Sequence, residues 1–220
     1  MLPVKHGAII IWNDIAPDCR DEFYAWHLHE HIPERVGVPG FLRGSRYIAT
    51  GPETKPEFLT LYETESADIA TSAPYLQRLN APTPWTKSAT SHFRNTSRAL
   101  TTAIADFGCG FGGVVGTIRF DGSPSGLEAC RAVAARTQDL EAAAGLPQIS
   151  RIRLCITNLE ASGERTAESR SRTDILAAPS GAIIVDGCNE AAVTRAMNLL
   201  RPPTAVAFTC GLYSLEHQLF

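Results

Sequence analysis

Apolar residues along the chain come in short runs separated by Gly, Pro and charge. HGAIIIWNDI (6–15) is too continuous for an amphipathic helix and too short for a buried one, so it predicts a strand. Asp18 then offers a helix cap, with Asp21 and Glu22 in the first turn where the helix dipole favours acids. G-V-P-G (37–40) supplies the stop, Gly37 as a left-handed cap and Pro39 because it disfavours continuation. FLRGSRYIA (41–49) and EFLTLYET (57–64) read as strands joined by the turn GPETKP. A second helix over about Ser66 to Leu79 precedes a Pro-rich stretch, APTPW, and then a β-branched segment, FRNTSRALTTAIADF (93–107). The order is β-α-β-β-α-β.

After the joint GCGFGG (108–113) the pattern begins again. GVVGTIRFDG is a strand, and Ser123 and Pro124 cap a helix that runs to Gly145. RIRLCITNL and GAIIVDG are strands, a helix covers about Glu190 to Leu200, and TAVAFTCGLYSLEH is the last strand. The Ser-, Glu- and Arg-rich stretch from Ala161 to Arg172 reads as an exposed loop. A shift of 108 residues lays His6–Asn13 on Val114–Asp121, Gly37-Val38-Pro39 on Gly145-Leu146-Pro147 and Arg43 on Arg151. The fold class is therefore α+β: tandem ferredoxin-like βαββαβ repeats, 1–108 and 109–220, each sheet with helices on one face. Packing the two sheets face to face within one chain buries what the helices leave uncovered.

Composition narrows the function classes. At 220 residues, 44% hydrophobic and 20% charged, the chain has enough apolar residues for a core. A net charge of −3 with no dense Lys/Arg run speaks against nucleic acid or an anionic membrane as partner. No apolar run approaches the length of a membrane span, and the first residues lack the order of a secretory signal, so a cytoplasmic location is expected. The six cysteines form no CxxC pair and read as reduced thiols. GxGxxG, P-loop and GxSxG patterns are missing.

Candidate chemistry gathers in the first helix, where WHLHEHIPER (26–35) holds three of the six histidines. At about 100° per residue, His27 and His31 lie about 40° apart with Tyr24 and Arg35 on their side, while His29 points away. The spelling H-x-x-E-H also matches a zinc-protease helix, but that use needs a third ligand, for which His92 or Glu63 has no selecting spacing. Acid/base catalysis is the leading functional reading, with His31 first and His27 second. Arg35 is suited to a carboxylate or enolate oxygen. Arg46, Tyr47 and Tyr62 lie on strands whose alternate residues face the helices, Tyr47 and Tyr62 being candidate donors to a substrate oxygen. His92, beside Trp85 and Phe93, ranks third among the histidines. Under the 108-residue shift, His27 falls on Ala135 and His31 on Asp139, so the chemistry is expected in the first repeat and the second is expected to be mainly structural.

The run EFYAWHLHEHIPERVGVPGFLRGSRY resembles the helix-one and strand-two signature of the dimeric α+β barrel superfamily, nearest its EthD-like branch. His31-Ile32-Pro33 matches that branch's His-x-Pro element, and Trp26-His27 stands where the branch usually has Tyr-Trp. The resemblance implies a pocket between a sheet and its helices, lined here by Tyr24, Trp26, Arg35, Arg46, Tyr62 and His92. It implies a barrel made within the monomer, with homodimerisation allowed but not needed. The expected activity is a cofactor-independent lyase or isomerase acting on a small cyclic or aromatic carbonyl compound, with His31, His27 and Tyr47 as catalytic residues and no metal. The alternatives are a haem-binding or cofactor-free oxygenase, with haem or a divalent metal as cofactor, and a non-enzymatic small-ligand binder.

Overall fold

Strand alternation decides how the chain closes on itself. The computed structural model describes residues 6–172, 174–202 and 207–220. The first half contains β1 (Gly7–Ile15), α1 (Arg20–Trp26), a π turn (His27–His31), α2 (Ile32–Val36), β2 (Phe41–Ala49) and β3 (Phe58–Thr64). It continues with α3 (Ala73–Asn80), α4 (Pro84–Ser91) and β4 (Phe93–Gly108). The second half contains β5 (Val114–Phe120), α5 (Pro124–Ala135), α6 (Thr137–Ala144), β6 (Ile149–Thr157), α7 (Leu159–Gly163), β7 (Gly181–Gly187), α8 (Glu190–Leu200) and β8 (Phe208–Leu219). The eight strands form one closed antiparallel barrel in the order β1-β3-β2-β8-β5-β7-β6-β4.

Each half thus has the ferredoxin-like order, β4-β1-β3-β2 and β8-β5-β7-β6, and the halves join through β2·β8 and β4·β6. Edge pairing satisfies strand-edge N–H and C=O groups that two separate sheets lying face to face would leave open. The halves also share a detail. The β2·β3 ladder carries a register shift between Phe41 and Arg43, and β6·β7 carries one between Ile149 and Arg151. Just past each shift an arginine faces an acid, Arg43 opposite Glu63 and Arg151 opposite Asp186.

Residues pointing into the barrel fill it, as the bore of an eight-stranded barrel requires. Ile10, Trp12, Tyr47, Leu61, Ile184 and Tyr213 form its apolar middle. Toward one end Glu63 accepts hydrogen bonds from Arg43, Arg151 and Arg153, and Arg153 also reaches Asp186 at 2.8 Å. The outer faces are covered by helices. In the second half α5, α6 and α8 bury Ile118, Leu140, Ile183, Val193 and their neighbours. In the first half two clusters lie under α1–α4, one around Ile9, Ile32 and Tyr62 and one around Phe23, Trp26 and Phe93.

Several expectations need correction. The Pro-rich APTPW holds a helix start that was not foreseen: Pro84 begins α4, and the Thr83 side chain accepts the Thr86 N–H as its cap. Gly37 ends α2 with φ −70°, an ordinary helical value, and Gly40 takes the left-handed conformation at φ +90°. The helix expected to reach Gly145 breaks at Arg136 into α5 and α6. The stretch from Ala161 to Arg172 is not wholly exposed, because Thr166, Glu168 and Arg172 are buried. They are buried because the segment crosses onto the first half, where Glu168 and Arg172 form ion pairs. Thr204, Ala205 and Val206, expected at the start of the last strand, lie outside the described residues.

Candidate functional site

The helix under the first-half sheet widens at its histidines. The Ile32 N–H bonds the His27 carbonyl, five residues back, and Pro33 next to it has no N–H to continue the ordinary ladder. The face turned to the sheet carries Phe23, Trp26, His27, His31, Ile32 and Arg35, all buried, while His29 is exposed. Beneath it, β2 comes close at Gly44, where a Cβ would stand 2.7 Å from the Tyr62 ring.

Here His27 and His31 stack, their ring centroids 5.4 Å apart and planes 21° from parallel. His27 also stacks on Phe23 at 5.0 Å, and His31 lies 4.2 Å from the Trp26 ring. Trp26 is held by its indole N–H, which donates to Thr86 Oγ1 at 3.2 Å. Thr86 in turn donates to Glu30 at 2.9 Å. Arg46 Nη1 lies 3.5 Å from His27 Nδ1; a guanidinium only donates, so Nδ1 is the acceptor and the His27 proton sits on Nε2. Tyr62 meets the edge of His31 at 6.4 Å.

Four polar atoms of this region have no hydrogen-bond partner: His31 Nδ1, Tyr62 Oη, Arg35 Nη1 and Arg172 Nε. Buried polar atoms are nearly always paired in native proteins, so several together mark a place that something else completes. Arg35 and Arg172 share Glu168 through their other nitrogens.

Burial presses both imidazole pKa values well below 6.5. For His27 the charges of His31 and Arg46 add to it, and for His31 those of Arg35, Arg172 and Arg78. Both rings are therefore neutral at neutral pH. Burial pushes the Tyr62 phenol far up, so it is a donor and not a phenolate.

Of the residues singled out from sequence, His27, His31, Trp26, Arg35, Arg46 and Tyr62 come together. Tyr24 lies at the rim, donating to Glu216 at 3.1 Å with Arg46 4.6 Å over its ring. Tyr47 is not part of the site: it points into the barrel with Trp12 and Tyr213, on the other face of β2. His92 is also apart, at the end of α4, 3.7 Å from Glu22. Glu30, the base of the zinc-protease spelling, is occupied by Thr83 and Thr86. Among the described residues no group of three His, Cys, Asp or Glu side chains gathers to hold a metal. Phe23, Glu168 and Arg172 were missed. The signal for the last two was length, since the β6–β7 connection runs from Asn158 to Ser180 while β2–β3 needs only Thr50 to Glu57.

No family model matches the chain, and no curated protein matches it. Solved structures do. An anthrone oxidase-like protein aligns over 99% of this chain and 93% of its own, with a TM-score of 0.58 and 10% identity. A mutant chlorite dismutase from Candidatus Nitrospira defluvii in complex with cyanide aligns over 96% and 91%, with a TM-score of 0.55 and 10% identity. The fold is the dimeric α+β barrel. A proposed monooxygenase from Fusobacterium nucleatum has it too, covering 99% of this chain and 95% of its own at a TM-score of 0.54 and 8% identity. At such identities the likeness speaks for the fold alone. Among the described residues no helix is long and apolar enough to cross a membrane.

Proposed function

We propose that the protein is a cofactor-independent oxygenase acting on a cyclic or aromatic carbon acid, with the chemistry in the first half and the second half as scaffold and cover. The observation that carries this reading is the stacked, buried pair His27–His31 in an aromatic surround. A neutral imidazole is ready to accept a proton at neutral pH, and a buried apolar surround keeps water from the carbanion that results. Structural neighbours with oxidase and monooxygenase names favour this class over the lyase or isomerase expectation, for which the comparisons give no support. The EthD-like kinship of His31-Ile32-Pro33 belongs to the same reading.

In this scheme His31 takes a proton from a ring carbon next to a carbonyl, and Tyr62 donates to the oxygen that gains charge. The carbanion reduces dioxygen and combines with it, leaving a hydroperoxide at carbon. Loss of water, with the second C–H proton, leaves a carbonyl. In sum, one ring methylene and one dioxygen become one ring carbonyl and one water. His27, its Nε2 protonated, sets the ring beside it.

Haem, which the barrel resemblance also raises, does not fit these residues. In the first half the rings of Phe23, Trp26, His27 and His31 pack on one another, with no slot for a porphyrin beside either imidazole. In the second half the space between sheet and helices is filled by an apolar core without histidine.

The test is oxygen uptake over a panel of anthrones and related hydroxyaromatics. His31→Phe, which keeps the stack, is expected to lower turnover by about 100-fold or more, the ordinary contribution of a general base. Turnover without oxygen uptake would return the reading to lyase or isomerase chemistry, and an unchanged His31→Phe rate would remove His31 from it.

A further inference from the structure

The β6–β7 connection arches over the outer face of β4 and leaves a cavity of about 450 Å3 beneath it, within the range of small-molecule sites. Its lining is of two kinds. Leu159, Ile175 and Leu176 are 41%, 41% and 47% exposed, among the large apolar side chains the fold leaves uncovered, and all three line this cavity. Uncovered apolar side chains gathered in one concavity mark a binding surface. The charged lining is Arg98, Arg165 and Arg172 against a single acid, Glu164.

Two polar atoms in the lining are buried and unpartnered, Thr96 Oγ1 and Arg172 Nε. Their residues are 1% and 9% exposed, so neither is a loose surface group. Arg172 shares Glu168 with Arg35 of α2. Arg35 and Arg172 together carry two buried positive charges against the one on Glu168, and Glu34, 3.8 Å from Arg35, is already engaged by Arg78. A further anion would offset that excess.

From this arrangement we infer that the cavity is a binding site for an apolar ring-bearing carboxylate, whose acid group is held by Arg98 and Arg172. Neither His27 nor His31 lines the cavity, so the inference stands apart from the oxygenase reading.

The experiment is calorimetric titration of the full chain with 1-naphthoate and with its uncharged counterpart 1-naphthamide. Naphthoate is expected to bind at least tenfold tighter. Leu176→Glu, at an exposed position whose thermal unfolding reports that the fold is kept, sets a carboxylate in the apolar wall and is expected to weaken naphthoate at least tenfold. Arg98→Gln is expected to weaken it severalfold while leaving naphthamide unchanged. Equal binding of the two probes, binding of neither, or wild-type naphthoate affinity in Leu176→Glu would overturn the site. Calorimetry needs no turnover, so discriminating naphthoate binding supports the site whatever the oxygen-uptake panel returns.

Discussion

His27 and His31 are neutral because folding removes water from them and sets cations nearby, and that has a cost that depends on pH. Their folded pKa values lie below the unfolded value of about 6.5, so in acid the unfolded chain binds protons that the folded one does not. Stability is full above about pH 6.5 and falls as pH drops below it, by at most about 1.4 kcal/mol per unit for each ring. Thermal unfolding followed from pH 7.5 to 5 is expected to show this fall, and His31→Phe to make it shallower. At this scale much of the site was legible. Helical spacing put His27, His31 and Arg35 on one face, and strand alternation left Arg46, Tyr47 and Tyr62 as residues able to face the helices. Alternation does not say which of two faces is which, however, and Tyr47 sits one residue from Arg46 on the side that fills the barrel. His92 failed differently: α4 was not foreseen, and its end carries that ring to Glu22.

Among the elements, the connection between β6 and β7 is the one whose role the sequence concealed. Its Glu and Arg residues look solvated when read along the chain, and their partner Arg35 lies far away in sequence. Glu168→Ala leaves Arg35 and Arg172 buried without their shared carboxylate, and is expected to cost about 3–5 kcal/mol in denaturant unfolding. It should also loosen amide-exchange protection in the segment, starting with the Glu168 N–H that bonds the Leu79 carbonyl. The turn after α2 offers a second test. Gly40 has φ +90°, and a Cβ there would stand 2.5 Å from Ile69, so Gly40→Ala is expected to cost about 1–3 kcal/mol. Gly37→Ala, at an ordinary helical φ, is expected to cost less.

For the molecule as a whole, the order β-α-β-β-α-β, read twice, was enough to reach the ferredoxin-like halves. The way they meet was not written in any local pattern, because strand pairing across β2·β8 and β4·β6 depends on edges that periodicity does not rank. Those seams give the halves a strong claim on each other. Two fragments cut within Cys109–Gly113 and produced together are expected to copurify one to one, and light scattering of the eluted complex reports that ratio. The seams also bear on how the chain is made. Gly44 on β2 pairs with Leu219 on β8, so β2 keeps an open edge until β8 has left the ribosome. Closure between such distant partners is slow by topology, and in that interval the exposed β2 edge is where a chaperone, or another nascent copy, would find the molecule first.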